Sequence, residues 1–90
     1  MSLNRYAKRR DANHRTVVAA LRKAGCDVEE PDICDALVGR AGQNFMLEIK
    51  PVGRSSESRI SARQKRLRRS WRGHYAIVTT IAEALAAVGL

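Results

Sequence analysis

The sequence predicts an α/β fold in which helices pack on a mixed sheet. Two observations support this prediction: apolar residues recur at helical spacing in some segments and alternate in others, and turn-forming residues separate the segments. The resulting element order is αβββαβα, with no internal repeat. The 90 residues suffice for one domain, which we assign to residues 10–90, behind a basic N-terminal arm at residues 1–9.

The element boundaries follow from caps, turns and apolar spacing. Asp11 or Asn13 can cap the first helix, and Gly25 ends it. Thr80 and Glu83 form a capping box before the last helix. A β-hairpin is expected at residues 41–42. The predicted helices are 13–24, 61–71 and one from about 80 onward, and the predicted strands are 26–29, 35–40, 44–50 and 74–79.

The charge of the chain favours a polyanionic partner. Seventeen Lys and Arg residues outnumber nine Asp and Glu residues, giving a net charge of +8, and thirteen of the basic residues are arginines. Arginine suits bidentate contact with phosphate. Solubility alone is the alternative explanation. No apolar run is long enough to span a membrane and no signal peptide is visible, so we expect a cytoplasmic protein with no membrane partner.

Two cysteines, Cys26 and Cys34, lie in apolar segments without CxxC spacing or a supporting histidine pair. A zinc site is therefore not expected. We interpret both as reduced core thiols, although the sequence also allows a disulfide between them.

The residues that point to chemistry are Asp35, Glu48 and Lys50. Glu48 and Lys50 are two apart on a predicted strand and so share a face, opposite Leu47 and Ile49. Asp35 begins the preceding strand, and the hairpin brings it next to Glu48. Two adjacent carboxylates suit Mg²⁺ or Mn²⁺, and Lys50 can orient the attacking water and stabilise developing charge. The alternative is an incidental ion pair.

These residues resemble a known family. The runs Cys34–Gly39 and Phe45–Lys50 are similar to the PD-(D/E)xK nuclease superfamily, and more narrowly to its small stand-alone VRR-NUC domains of phage and bacteria. The similarity covers about residues 10–89. It implies a restriction-endonuclease-like αβββαβ core with a C-terminal helix, and a homodimeric, Mg²⁺-dependent endonuclease that cuts branched DNA such as Holliday junctions. It also implies that Asp35, Glu48 and the Ile49 carbonyl bind the metal.

One further residue supports the resemblance, and two features of the chain depart from the family's pattern. The family has a glutamine on the helix after the motif, and Gln64 matches it, on the same helical face as Leu67 and Trp71. The family's proline before the first aspartate is Cys34 here. Many relatives carry a glutamate early in the first helix, where this chain has none. A one-metal site, or help from Asn13 or His14, is therefore expected rather than a full two-metal site, although a lone histidine there is more often a surface residue.

A Pro-Asp pair just upstream, Pro31-Asp32, is a decoy for the family motif. Asp32 lies too far from the hairpin strand to join Glu48, so we assign the metal ligand to Asp35.

The basic residues predict a nucleic-acid surface that recognises backbone or shape, since aromatic residues for base stacking are scarce. Three alternatives to a DNA endonuclease remain: a non-catalytic DNA- or junction-binding module, a nuclease for RNA or for a specific DNA sequence, and a structural interaction protein. The residues that we expect to contact nucleic acid are Arg9, Arg10, Arg54, Arg59, Arg63, Lys65, Arg66, Arg68, Arg69 and Arg72.

Overall fold

The computed structural model describes residues 11–51 and 60–90, and the element order within them is the αβββαβα order expected from the sequence. Its boundaries differ from the predicted ones by at most one residue. The elements are α1 (Ala12–Lys23), β1 (Asp27–Glu29), β2 (Ala36–Arg40), β3 (Gln43–Ile49), α2 (Ala62–Ser70), β4 (His74–Val78) and α3 (Ile81–Ala87).

The four strands form one mixed sheet in the order β1-β2-β3-β4. Strand β2 pairs with both β1 and β3 in antiparallel orientation, whereas β4 pairs with β3 in parallel. A parallel pair requires a crossover connection, and α2 lies within it. Because β4 is at the edge of the sheet, it is largely half-buried and not the buried strand that its β-branched centre predicts.

The hairpin between β2 and β3 fixes the register of the sheet. Its two central residues, Ala41 and Gly42, have positive φ angles of 53° and 77°. This is the combination that a two-residue type I′ turn requires, and its twist matches that of the flanking strands. Arg40 therefore pairs with Gln43, and the register continues to Ala36 opposite Leu47.

Helix α1 begins and ends as its sequence predicts. The Asp11 side chain accepts a hydrogen bond from the His14 backbone N–H at 2.8 Å, which decides between the two candidate caps. Gly25 follows the helix with φ of 97°, and the Cys26 N–H donates to the Leu21 carbonyl at 3.1 Å. Ala24 is the last residue of the predicted helix, where we expected a buried side chain. It is exposed because the helix ends before it.

The apolar core lies between the sheet and helices α1 and α3. Leu47 and Ile49 point into it from β3, as their alternation with Glu48 predicts. Helix α2 covers the opposite face, because its Gln64 reaches Lys50, which shares a face with Glu48. The fold is thus an α/β sandwich of three layers. The core residues are Val17, Val18, Leu21, Cys26, Val28, Ala36, Val38, Phe45, Leu47, Ile49, Val78, Ala84 and Val88.

Two large apolar side chains of the helical segments, Trp71 and Ile81, lie at the surface although we expected apolar residues there to point inward. Helix α2 ends at Ser70, and Trp71 adopts an extended backbone conformation as its C-cap, so 47% of Trp71 is exposed. Helix α2 therefore ends at Ser70 and does not continue to Gly73, the helix-breaking residue that follows. In α3, Val88 is fully buried but Ile81 is exposed at the first turn.

Both cysteines are free and buried, which confirms the prediction of reduced core thiols. None of the helices in the two described segments is long and apolar enough to cross a membrane.

Candidate active site

Asp35 and Glu48 lie side by side at the open end of the central hairpin. Continuing the register of β2 and β3 by one residue beyond Ala36 places Asp35 opposite Glu48. The Asp35 carboxylate accepts a hydrogen bond from the Ile49 N–H at 2.8 Å, which fixes it against the end of β3. Asp32 is exposed and precedes β2, so the hairpin brings only the carboxylate of Asp35 to this strand end.

Glu48 is buried, with 1% of its surface exposed, and lies at the centre of this cluster. Its carboxylate accepts a hydrogen bond from the Tyr75 hydroxyl at 3.0 Å. Burial raises the pKa of Glu48, and the negative charge of Asp35 raises it further, against the opposing effects of Tyr75, Arg63 and Lys50. Burial and the Glu48 charge likewise raise the pKa of Tyr75.

Lys50 is held at the same strand end by α2. Its ammonium group donates a hydrogen bond to the Gln64 side-chain oxygen at 2.8 Å, and the lysine is only 9% exposed. Gln64 is itself fixed, because it forms a capping box with Ser61 at the start of α2. The same Gln64 oxygen accepts from the Ser61 N–H at 3.2 Å. Gln64 therefore contacts Lys50, and its position depends on the helix cap.

One residue at the site, Tyr75, was not expected from the sequence, whereas Asn13 was one of the two residues expected to assist there. Tyr75 contacts Glu48 because β4 pairs with β3 in a register that no local pattern reveals. The Asn13 amide donates to the Lys50 carbonyl at 2.7 Å and to the Thr79 carbonyl at 2.8 Å, so it joins α1 to the ends of β3 and β4. Through these two bonds the amide group positions the strand ends.

His14 contacts the carboxylate of Glu30 and not those of Asp35 and Glu48. It is 5% exposed, and its imidazole pairs with Glu30 at 2.8 Å. The expectation of a surface histidine is wrong, because α1 turns this side chain toward the chain that follows β1. The Nε2 atom of His14 is engaged with Glu30 and not with Asp35 or Glu48.

The donor set at the strand end fits a single hard cation. Within residues 11–51 and 60–90 no group of three or more His, Cys, Asp or Glu side chains could hold a metal. Asp35 and Glu48 nevertheless supply two carboxylates, and the buried charge of Glu48 is the kind that a cation would stabilise. The N–H and C=O groups of one strand residue point to the same neighbouring strand, so the Ile49 carbonyl faces the side on which Asp35 lies.

The basic side chains of α2, and that of Arg72 two residues beyond its end, are all exposed. The same helix carries Gln64, which reaches Lys50, and the positive charge of Arg63 acts on Glu48. We call this set the α2 basic surface: Arg63, Lys65, Arg66, Arg68, Arg69 and Arg72. The other predicted contacts, Arg9, Arg10, Arg54 and Arg59, lie outside the described residues.

Comparisons with protein-family models, curated proteins and solved structures found no significant match. The interpretation of the site therefore depends on its own residues and on the resemblance of its motif.

Proposed function

We propose that this protein is a Mg²⁺- or Mn²⁺-dependent endonuclease that hydrolyses DNA phosphodiester bonds. The observation that supports this most is the convergence of Asp35, Glu48 and Lys50 at one strand end, next to the α2 basic surface. Two carboxylates, a lysine and a surface for phosphates are the groups that metal-assisted phosphodiester hydrolysis requires.

An incidental ion pair explains these residues less well. Glu48 is buried next to a second acid, an arrangement that raises its pKa and costs stability whenever it is ionised. Lys50 is also buried and is held by a glutamine that has a second role as a helix cap. A buried acid with a raised pKa, next to other converging ionisable groups, is typical of functional sites.

Each residue has a distinct role in the proposed reaction, in which water attacks phosphorus as a P–O bond breaks. Asp35, Glu48 and the Ile49 carbonyl would hold the cation, which would lower the pKa of water and neutralise phosphate charge. Lys50 stabilises the negative charge that develops on the phosphoryl oxygens. Gln64 holds the Lys50 ammonium in place, and Asn13 fixes the backbone at the same strand end.

The finer assignments depend on the resemblance to VRR-NUC domains. With it we propose a restriction-endonuclease-like core, a homodimer, a branched DNA substrate such as a Holliday junction, and a bacterial or phage-encoded protein acting in the cytoplasm. Sedimentation analysis tests the dimer: we expect twice the chain mass of 10.0 kDa, and a mass of 10.0 kDa at micromolar concentration would contradict it.

A non-catalytic DNA-binding module is the second candidate. The observation in its favour is the α2 basic surface, which needs no metal to bind phosphates. It does not explain why the carboxylate of Asp35 lies next to the buried carboxylate of Glu48, which is why we favour the nuclease.

A cleavage assay separates the two candidates. The protein is incubated with Mg²⁺, Mn²⁺ or EDTA and with linear duplex, single-stranded, flap and four-way-junction DNA, together with an RNA of matched sequence. We expect metal-dependent cutting, fastest on a branched DNA, that Glu48→Gln and Lys50→Ala each reduce by at least about a hundredfold. DNA binding should persist in both variants.

Glu29→Gln and Lys23→Ala are the matched controls, since both side chains are exposed and lie on other elements. The controls should cut as the wild type does. Cutting by Glu48→Gln or Lys50→Ala at the wild-type rate would remove those residues from the centre, and binding without cutting by the wild type would favour the non-catalytic module.

A further inference from the structure

Trp71 is the only tryptophan of the chain and is 47% exposed. Large aromatic side chains usually bury most of their surface, because each can remove a large apolar area from water. Leaving half of this one in solvent costs free energy that a ligand could recover. The other exposed large apolar side chains among the described residues are Ile33, Ile81 and Leu90.

The Trp71 ring lies against Gly73, at the C-terminal end of α2. Its backbone N–H donates to the Leu67 carbonyl at 2.8 Å, which anchors it at the C-terminus of α2. The indole packs on Gly73: a Cβ atom at Gly73 would come within 2.8 Å of the indole nitrogen. A ring held in this way loses little freedom when a ligand stacks on it.

The charge around Trp71 selects the kind of ligand. From residue 60 to residue 82 the sequence has six Lys or Arg residues and no Asp or Glu. Three exposed arginines lie within three residues of Trp71 in the sequence: Arg68, Arg69 and Arg72. An apolar protein partner gains nothing from such a concentration of positive charge. A nucleic-acid strand satisfies both features, because its bases stack on aromatic rings while its phosphates meet arginines.

The distance from Trp71 to the site matches this ligand. Trp71 follows Gln64 by seven residues, which is about 10 Å along a helix axis. Gln64 contacts Lys50, so Trp71 lies on the order of 10 Å along α2 from the proposed centre, a span that a short unpaired strand can bridge.

We propose that Trp71 stacks on an unpaired base of the bound DNA, with Arg68, Arg69 and Arg72 contacting the adjacent phosphates. This inference rests on the DNA-binding part of the proposed function, and it gives a physical reason for preferring branched or single-stranded DNA. In regular duplex the bases are already stacked on each other, so the ring has no base face to cover. The scarcity of aromatic residues argues against stacking along a whole strand, but one fixed ring suffices for one base.

Intrinsic fluorescence measures this stacking directly, because Trp71 is the only tryptophan. The wild type is titrated in EDTA with oligo(dT) and, separately, with an abasic oligonucleotide of the same length and charge. We expect oligo(dT) to quench the tryptophan emission and to bind more tightly than the abasic strand. Equal quenching by the two strands would overturn the proposal, since it would require no base.

Variants of Trp71 separate stacking from folding and from charge. Trp71→Ala should weaken oligo(dT) binding by about tenfold and leave abasic binding unchanged, and Trp71→Phe should retain most of the affinity. Ile33→Ala, at another exposed apolar residue, is the matched control and should change neither. Unchanged oligo(dT) binding by Trp71→Ala overturns the inference, as does an equal loss on both strands with an unaltered circular dichroism spectrum.

These results are independent of cleavage. Quenching by oligo(dT) without metal-dependent cutting would refute the nuclease and support the stacking residue. Cutting without quenching would support the nuclease and refute the stacking residue. If Trp71→Ala bound DNA normally but no longer self-associated, the ring would belong to a contact between copies of the chain and the inference would be wrong.

Discussion

Glu48 is the residue at which packing and charge conflict most in this protein. It is almost fully buried, and its neighbours are a second carboxylate and the Tyr75 hydroxyl. Isosteric glutamine would keep the size and a hydrogen-bond acceptor for Tyr75 without the buried charge. The cost of keeping an acid here shows up as a raised pKa, which makes the stability of the fold depend on pH.

We therefore predict that Glu48→Gln is more stable than the wild type at neutral pH. The pKa of Glu48 is raised in the folded state above its ordinary value of 4.5, so its stabilising contribution is fully present below pH 4.5 and is lost as pH rises through the folded pKa. Glutamine does not titrate. The difference in melting temperature, variant minus wild type, should thus grow from pH 4.5 toward neutral pH in EDTA.

Added Mg²⁺ provides the control for this prediction. A cation bound between Asp35 and Glu48 favours the ionised acid and should raise the melting temperature of the wild type far more than that of Glu48→Gln. Glu29→Gln, on an exposed strand position, should show neither effect. A melting-temperature difference that stays constant with pH would mean that Glu48 titrates normally in the fold.

At the scale of secondary structure, helix α2 has a different role at each end. Its N-terminal capping box places Gln64 against Lys50, whereas its C-terminal turn carries Arg68 and Arg69. Like charges along one helix repel each other, and a polyanion relieves this repulsion. The element thus connects the candidate site to the surface where we expect DNA to bind.

Replacing both Arg68 and Arg69 by glutamine should flatten the salt dependence of DNA binding. Each lost phosphate contact lowers the slope of log affinity against log salt by about 0.7 to 0.9, so the double variant should lose roughly 1.4 to 1.8. Fluorescence anisotropy with a labelled oligonucleotide over a range of NaCl concentrations measures the slope.

Lys23→Gln, an exposed charge on α1, controls for the loss of net charge and should change the slope little. If the double variant and the wild type have the same slope, α2 is not part of the DNA interface.

At the scale of the whole molecule, a few long-range polar contacts join the layers at the site. Asn13 on α1 donates to the carbonyls of Lys50 and Thr79, which lie 37 and 66 residues away in the chain. It thereby holds the ends of two parallel strands at a fixed distance. On the other face of the sheet, the side-chain oxygen of Gln64 accepts a hydrogen bond from the ammonium group of Lys50.

We predict that Asn13→Ala lowers the free energy of unfolding by about 2 kcal/mol, because two backbone oxygens lose a donor. Asn13→Asp should cost more, since its carboxylate would face the same two carbonyls. Urea unfolding at neutral pH measures both. Asn44→Ala, at an exposed position of β3, should stay within about 0.5 kcal/mol of the wild type. A wild-type stability for Asn13→Ala would show that these bonds do not hold the layers.

The sequence by itself determined the element order, the capping box of the last helix, the hairpin turn and the choice of Asp35 over Asp32. These features follow from local rules: helical and strand periods, caps, and the φ angles that a two-residue turn requires. Asp35 and Glu48 belong to this group because a hairpin converts a sequence separation directly into a spatial pairing.

Only the tertiary structure decided the features that depend on pairing between distant segments. Tyr75 reaches Glu48 through the parallel register of β4, and Asn13 reaches two strand ends across the domain. Trp71 is exposed because α2 ends one residue before it. Non-local packing sets each of these outcomes, and no period or cap in the chain encodes how the layers meet.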